Sequence, residues 1–140
     1  MKYKFLPHTA DAKFQAYGKT AEEAFANAAE AMTSVMVDVS KIEAKVKKKI
    51  SVSSESKEAL LYDFLEQFLI LLDSDQFILR EVTKIKISKG KTYKLEAEAV
   101  GDKFSYDKYE TMTMVKAVTY NDMFIKEEKD KVTVQVVVDV

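Results

Sequence analysis

The sequence predicts an α+β fold, two helices packed on a mostly antiparallel sheet. Two observations carry this. Segments 21–36 and 57–72 space their apolar residues with helical period, whereas shorter stretches alternate apolar and polar residues with the period of a strand. The helices and hairpins are also segregated along the chain. The order strand–helix–strand, helix–strand–strand hints at a degenerate internal duplication, although the residue identities do not repeat.

Residues 2–6 and 12–17 read as short strands, with Phe14 and Ala16 alternating against Lys13 and Gln15. Pro7 cannot donate to a central ladder, so 7–11 reads as a turn or bulge. Gly18 closes the second strand. Thr20 followed by Glu23 has the spacing of a capping box, and Ala24, Phe25, Ala28, Met32, Val35 and Met36 continue at helical spacing. Residues 44–53 suggest a strand with Val46, Ile50 and Val52 on one face. Ser56 caps a second helix that runs to about residue 72, and its apolar stripe is broad enough to predict that the helix is largely buried. Residues 77–88 and 92–100 alternate around the turn signal Lys89-Gly90-Lys91. Segment 113–127 is ambiguous between strand and helix, and 132–138 is a strand preceded by a turn at 128–131.

A chain of 140 residues, 47% hydrophobic and 32% charged, fits one domain spanning 1–140. Twenty-two basic against 23 acidic side chains give a net charge of −1, without the basic field of an autonomous nucleic-acid binder. With no cysteine, thiol nucleophiles, disulfides and thiolate metal sites are excluded. One histidine excludes a two-imidazole site within one chain, and neither GxGxxG nor GxxxxGK[ST] occurs, so no direct nucleotide binding is expected. The apolar run at 60–72 is short and interrupted by Asp63 and Glu66, and the N-terminus lacks a signal-peptide core. The expectation is a soluble cytoplasmic protein with no membrane partner.

Several positions are candidates for chemistry. His8 and Asp11 lie three apart after Pro7, where a turn could present both to one site or where Asp11 could simply accept backbone amides. Asp139 interrupts the apolar run VTVQVVVDV: it is either a solvated chain end or a carboxylate held at the rim of the core beside Val140. Clustered oxygens of this kind need a cation or a lysine between them. Lys116 sits in an apolar segment, where it either pairs with a carboxylate or faces outward from a strand. Asp38 reads as a helix-exit residue, and Lys45, Lys47, Lys48 and Lys49 as a solvated strand face.

Four segments in order and spacing, YKFLPHTADAKFQAYG (3–18), AEEAFANAAEAMTSVM (21–36), EALLYDFLEQFLILL (58–72) and KAVTY (116–120) with the final VDV, resemble the archease family over nearly the whole chain. The resemblance implies a small α+β protein that is not itself an enzyme. It implies an activator of the RtcB-type tRNA-splicing RNA ligase, which joins 2′,3′-cyclic-phosphate or 3′-phosphate ends to 5′-hydroxyl ends using GTP, a divalent metal and a guanylylated histidine. Archeases accelerate that guanylylation and permit repeated turnover, with tRNA engaged indirectly through the ligase. The family's metal-binding acids fall on Asp11 and Asp139, with Val140 as a further oxygen donor, and its functional lysine falls on Lys116; His8 belongs to the same HTAD turn. The family has also been viewed as a chaperone or adaptor for tRNA-modifying enzymes. The chain departs from its pattern in two places: Ala12-Lys13-Phe14 replaces a Val-Gly-type continuation, and Asn121 stands where a histidine commonly follows the tyrosine.

The residues agree with that chemistry. Carboxylate oxygens suit a hard cation, Ca²⁺ first, with Mg²⁺ or Mn²⁺ as alternatives. A metal-dependent hydrolase built on the acids is a third reading beside activator and chaperone.

Overall fold

The computed structural model describes residues 1–8 and 10–140; Thr9, in the middle of the expected 7–11 turn, lies outside the described residues. Strand β1 (Tyr3–Leu6) pairs antiparallel with β2 (Asp11–Gly18). Gly18 ends β2 where a Cβ would lie 2.5 Å from the Ala24 nitrogen, so the lack of a side chain lets the strand end press onto the next element, α1 (Ala21–Met36). Thr20 caps α1 by accepting the Glu23 N–H at 3.2 Å, which satisfies one of the helix's orphan donors. Asn27 fastens the helix back to β2 by donating to the Tyr17 carbonyl at 2.7 Å.

Asp38 follows the helix and opens a short 3-10 turn (Val39–Lys41), its carboxylate accepting the Ser40 N–H. Strand β3 (Val46–Ser54) leads to α2 (Lys57–Asp75), whose cap Ser56 accepts the Ala59 N–H at 3.0 Å. Gln76 ends α2 in the left-handed region, at φ 52°. Strands β4 (Phe77–Lys89) and β5 (Tyr93–Lys103) form the expected hairpin, and β6 (Ala117–Glu128) and β7 (Lys131–Asp139) form a second.

All strand pairs are antiparallel, but they divide into two sheets, β1-β2-β7-β6 and β3-β5-β4, which differ in strand number and order. Helix α1 packs on β2, β7 and β4, and α2 packs on β6 and on β3, β4 and β5, so each helix serves both sheets. Phe14, Val134 and Val136 from one sheet, Phe25 and Met32 from α1, Phe64 and Leu65 from α2, and Leu95 from the other sheet are fully buried in one cluster. Phe25 and Phe64 stack with centroids 6.4 Å apart, joining the helices at its centre.

Two expectations change. Segment 113–127 is strand only from Ala117 onward, and β6 carries a large irregularity: residues 120–123 stand opposite a single β7 residue, between the Thr119–Val137 and Phe124–Gln135 partners. That insertion breaks the period-two pattern and explains the ambiguity. Helix α2 is also less buried than its composition predicts. Leu60, Leu61, Phe64, Leu65 and Phe68 are buried, but Leu69, Leu71 and Leu72 are only partly so, and Ile70 is 46% exposed. The last turns of the helix line an open groove.

No described helix is long and apolar enough to cross a membrane.

Candidate functional site

Antiparallel pairing builds the site. Residues directly opposite one another share a face of the sheet, and the β2–β7 register sets Asp11 opposite Asp139. Inward on the same strands, Ala12, Phe14 and Ala16 meet Val138, Val136 and Val134 in the core. The polar face therefore carries Asp11, Lys13, Gln15 and Tyr17 against Asp139, Val137, Gln135 and Thr133. Strand β7 lies between β2 and β6, so Asp139 also has a partner on its other side, Ala117. The Lys116 N–H donates to the Asp139 carbonyl at 2.7 Å and extends the ladder by one bond. Three positions remote in sequence, Asp11, Lys116 and Asp139, thus meet at one end of one sheet. Val140 follows half-buried at the same end.

The ammonium of Lys116 does something different from what an apolar setting suggests. Its residue is exposed, and among the described residues it makes no ion pair with either acid. The backbone holds Lys116 in place while the side chain stays available to solvent. His8 does approach Asp11: its Nδ1 lies 3.6 Å from the Asp11 carboxylate, with about a quarter of each side chain exposed.

Sequence reasoning missed Asp122. The His8 Nε2 lies 3.9 Å from its carboxylate and the Lys13 Nζ lies 3.4 Å from it, so Asp122 ties β6 to the β1–β2 end. Asp122 sits in the β6 irregularity at φ 52°, a left-handed conformation that Asp tolerates better than most residues. The Gln135 amide donates to the Asp122 carbonyl at 2.8 Å and accepts from Gln15 at 2.9 Å, and Gln15 accepts from the Tyr17 hydroxyl at 3.0 Å. This chain of bonds fixes the irregular loop on the polar face. The Asn121-Asp122 pair, turn chemistry inside an otherwise strand-like segment, is the signal that could have found it.

A second cluster holds the connection from β5 to β6. Asp102 is 4% exposed, and its carboxylate accepts from Lys108 Nζ, from the Tyr109 hydroxyl and, at 2.8 Å, from the Lys103 N–H. Burial opposes ionisation here, but these donors together with the Lys108 charge outweigh it and hold the carboxyl at about 2. Burial, reinforced by the hydrogen bond to Asp102, pushes the Tyr109 phenol up. The Met112 N–H bonds the Met36 carbonyl at 2.8 Å, pinning the same connection to the end of α1 just before it delivers Lys116.

The acid pair offers a cation two carboxylates, with hard oxygen donors of the kind Ca²⁺ and Mg²⁺ prefer. Among the described residues, no group of three or more Asp, Glu or His side chains is arranged to hold a metal ion. Two facing carboxylates fit a cation only as part of its shell, the remainder coming from backbone oxygens, water or another molecule.

The arrangement defines a two-sheet α+β protein whose polar sheet end gathers acids and a free lysine. A family model described as the archease protein family matches residues 3–140. The archease of Methanosarcina barkeri is 43% identical over 141 residues, covering 99% of this chain and 96% of that one. The solution structure of Methanobacterium thermoautotrophicum protein 1598 is similar with a TM-score of 0.84 and 35% identity, covering 99% of both chains. A crystal structure of an archease and possible chaperone from Thermotoga maritima shares the fold at a TM-score of 0.57 and 22% identity, covering 98% of this chain and 96% of that one. The chain belongs to the archease family.

Proposed function

We propose that this chain is an accessory protein that activates an RtcB-type tRNA-splicing RNA ligase, with Asp11 and Asp139 sharing a divalent cation and Val140 supplying a further oxygen. The observation that carries the reading is the β2–β7 register, which brings Asp11 and Asp139 face to face at an accessible sheet end. A two-carboxylate site leaves coordination positions open, so it suits a protein that presents a cation to another active site. The cation, Ca²⁺ first with Mg²⁺ or Mn²⁺ as alternatives, supplies charge stabilisation for phosphate chemistry. The chain's own residues do the holding: the two carboxylates bind, and the exposed Lys116 faces the phosphates that the ligase brings. tRNA enters through the ligase.

The test is covalent transfer of GMP from GTP to the ligase, followed with and without the chain. The reading expects faster guanylylation and multiple rounds of RNA joining when the chain is present, and no GTP hydrolysis by the chain alone. An unchanged guanylylation rate would overturn it. The second reading, a chaperone or adaptor for tRNA-modifying enzymes, draws support from partly exposed apolar side chains such as Ile70, Tyr106 and Met112. Suppressed aggregation of an unfolding client enzyme, with ligase guanylylation unchanged, would favour it.

A further inference from the structure

The last turns of α2 and the connection from β5 to β6 enclose an open groove of about 800 Å³. Its lining is mixed: the apolar part comes from Leu69, Ile70 and Leu72 on α2 and from Tyr106 and Met114 on the other side, and polar side chains flank it. Ile70 and Tyr106 are 46% and 71% exposed, a large area for side chains of this kind to leave in water. The α2 bank also carries Glu66 and Asp73, and among the described residues neither makes an ion pair. They are seven residues apart, two helical turns and roughly 10 Å along one face. Lys116 lines the groove too, so it runs up to the sheet end where Asp11 and Asp139 meet.

We propose that this groove docks an amphipathic helix of a partner protein, with an apolar stripe against Leu69, Ile70 and Tyr106 and two basic residues seven apart against Glu66 and Asp73. Charge complementarity and spacing argue for that occupant. A helix laid in a groove buries an i, i+3, i+4, i+7 stripe, and its flanking lysines or arginines recur at the interval of the two acids. The proposal rests on the ligase reading in that the helix would belong to the ligase; docking there sets the neighbouring partner surface beside Asp11, Lys116 and Asp139. The groove supplies affinity and the acid pair supplies activation, so the two functions are separable by mutation.

The experiment is a titration of the full RNA ligase with the wild-type chain, with Ile70→Glu, and with the Glu66→Lys, Asp73→Lys pair. The affected side chains lie at the surface or half-exposed, and circular dichroism checks each fold. The proposal expects at least tenfold weaker binding for Ile70→Glu and for the charge reversal. Wild-type affinity in both groove variants would overturn the groove assignment and leave the ligase reading standing. No binding by the wild-type chain would overturn both. A dimer of the chain that Ile70→Glu dissociates, with ligase affinity unchanged, would assign the groove to a second copy and overturn the proposal.

Discussion

Asp11 and Asp139 are register partners across β2 and β7, two carboxylates at directly opposed positions of an antiparallel pair. Like charges so placed cost a few tenths to about 1 kcal/mol when nothing lies between them. In EDTA, Asp139→Asn should therefore melt at or slightly above the wild-type temperature. Added Ca²⁺ should stabilise the wild type and have less effect on the variant. Thermal denaturation with and without the ion checks both points; an equal gain in the variant would contradict a shared cation.

Lys116 contributes to the fold through its N–H, which any residue but proline supplies, while its side chain is exposed. Lys116→Ala should stay within about 0.5 kcal/mol of wild-type stability yet lose ligase stimulation. Urea unfolding and guanylylation on the same preparation separate the effects. A stability loss above about 2 kcal/mol would mark the side chain as structural.

The local parts of this architecture were legible in the sequence. Thr20 and Ser56 each cap the helix that their spacing announced, and the Lys89-Gly90-Lys91 turn joins the expected hairpin. Asp11 stood out because it lies three residues after His8 in the turn that follows Pro7, and Asp139 because it interrupts an apolar run. What depended on distant pairing was not legible. Periodicity gives the apolar face of a helix but not what covers it, so Leu69, Ile70 and Leu72 read as core although they line a groove. Likewise the division into two sheets depends on which distant strands pair, and Asp122 meets His8 and Lys13 only after β6 and β2 join one sheet.

Gly101 lies in β5, the central strand of its sheet, and a Cβ there would stand 1.9 Å from the Ile78 carbonyl oxygen. That oxygen is backbone and the buried Phe77 ring stands 2.9 Å away, so neither yields easily and Gly101→Ala should cost about 2 kcal/mol or more. Gly90 in the turn has nothing within 4 Å of the same position, and Gly90→Ala should be near neutral. Paired chemical denaturation curves test the contrast; equal stabilities would contradict it.

The Asp102 cluster predicts acid lability. Its carboxyl titrates near 2 in the folded chain against an ordinary value of 3.8, so the unfolded state takes up the proton first as pH falls. The stabilisation, about 2 kcal/mol, is fully present above about pH 4 and is lost as pH falls through the folded value of about 2. Asp102→Asn should be less stable than wild type at pH 7, and the difference should shrink toward pH 2. Urea midpoints at several pH values measure it, and a pH-independent difference would contradict the assignment.

The central claim is that the facing carboxylates activate the ligase rather than hold the fold together. Its most direct test is covalent guanylylation of the RNA ligase in the presence of the Asp11→Ala, Asp139→Ala double variant, with circular dichroism confirming that the variant is folded. The account predicts a folded protein that leaves guanylylation at the rate of the ligase alone. Stimulation equal to wild type by that folded variant would contradict it.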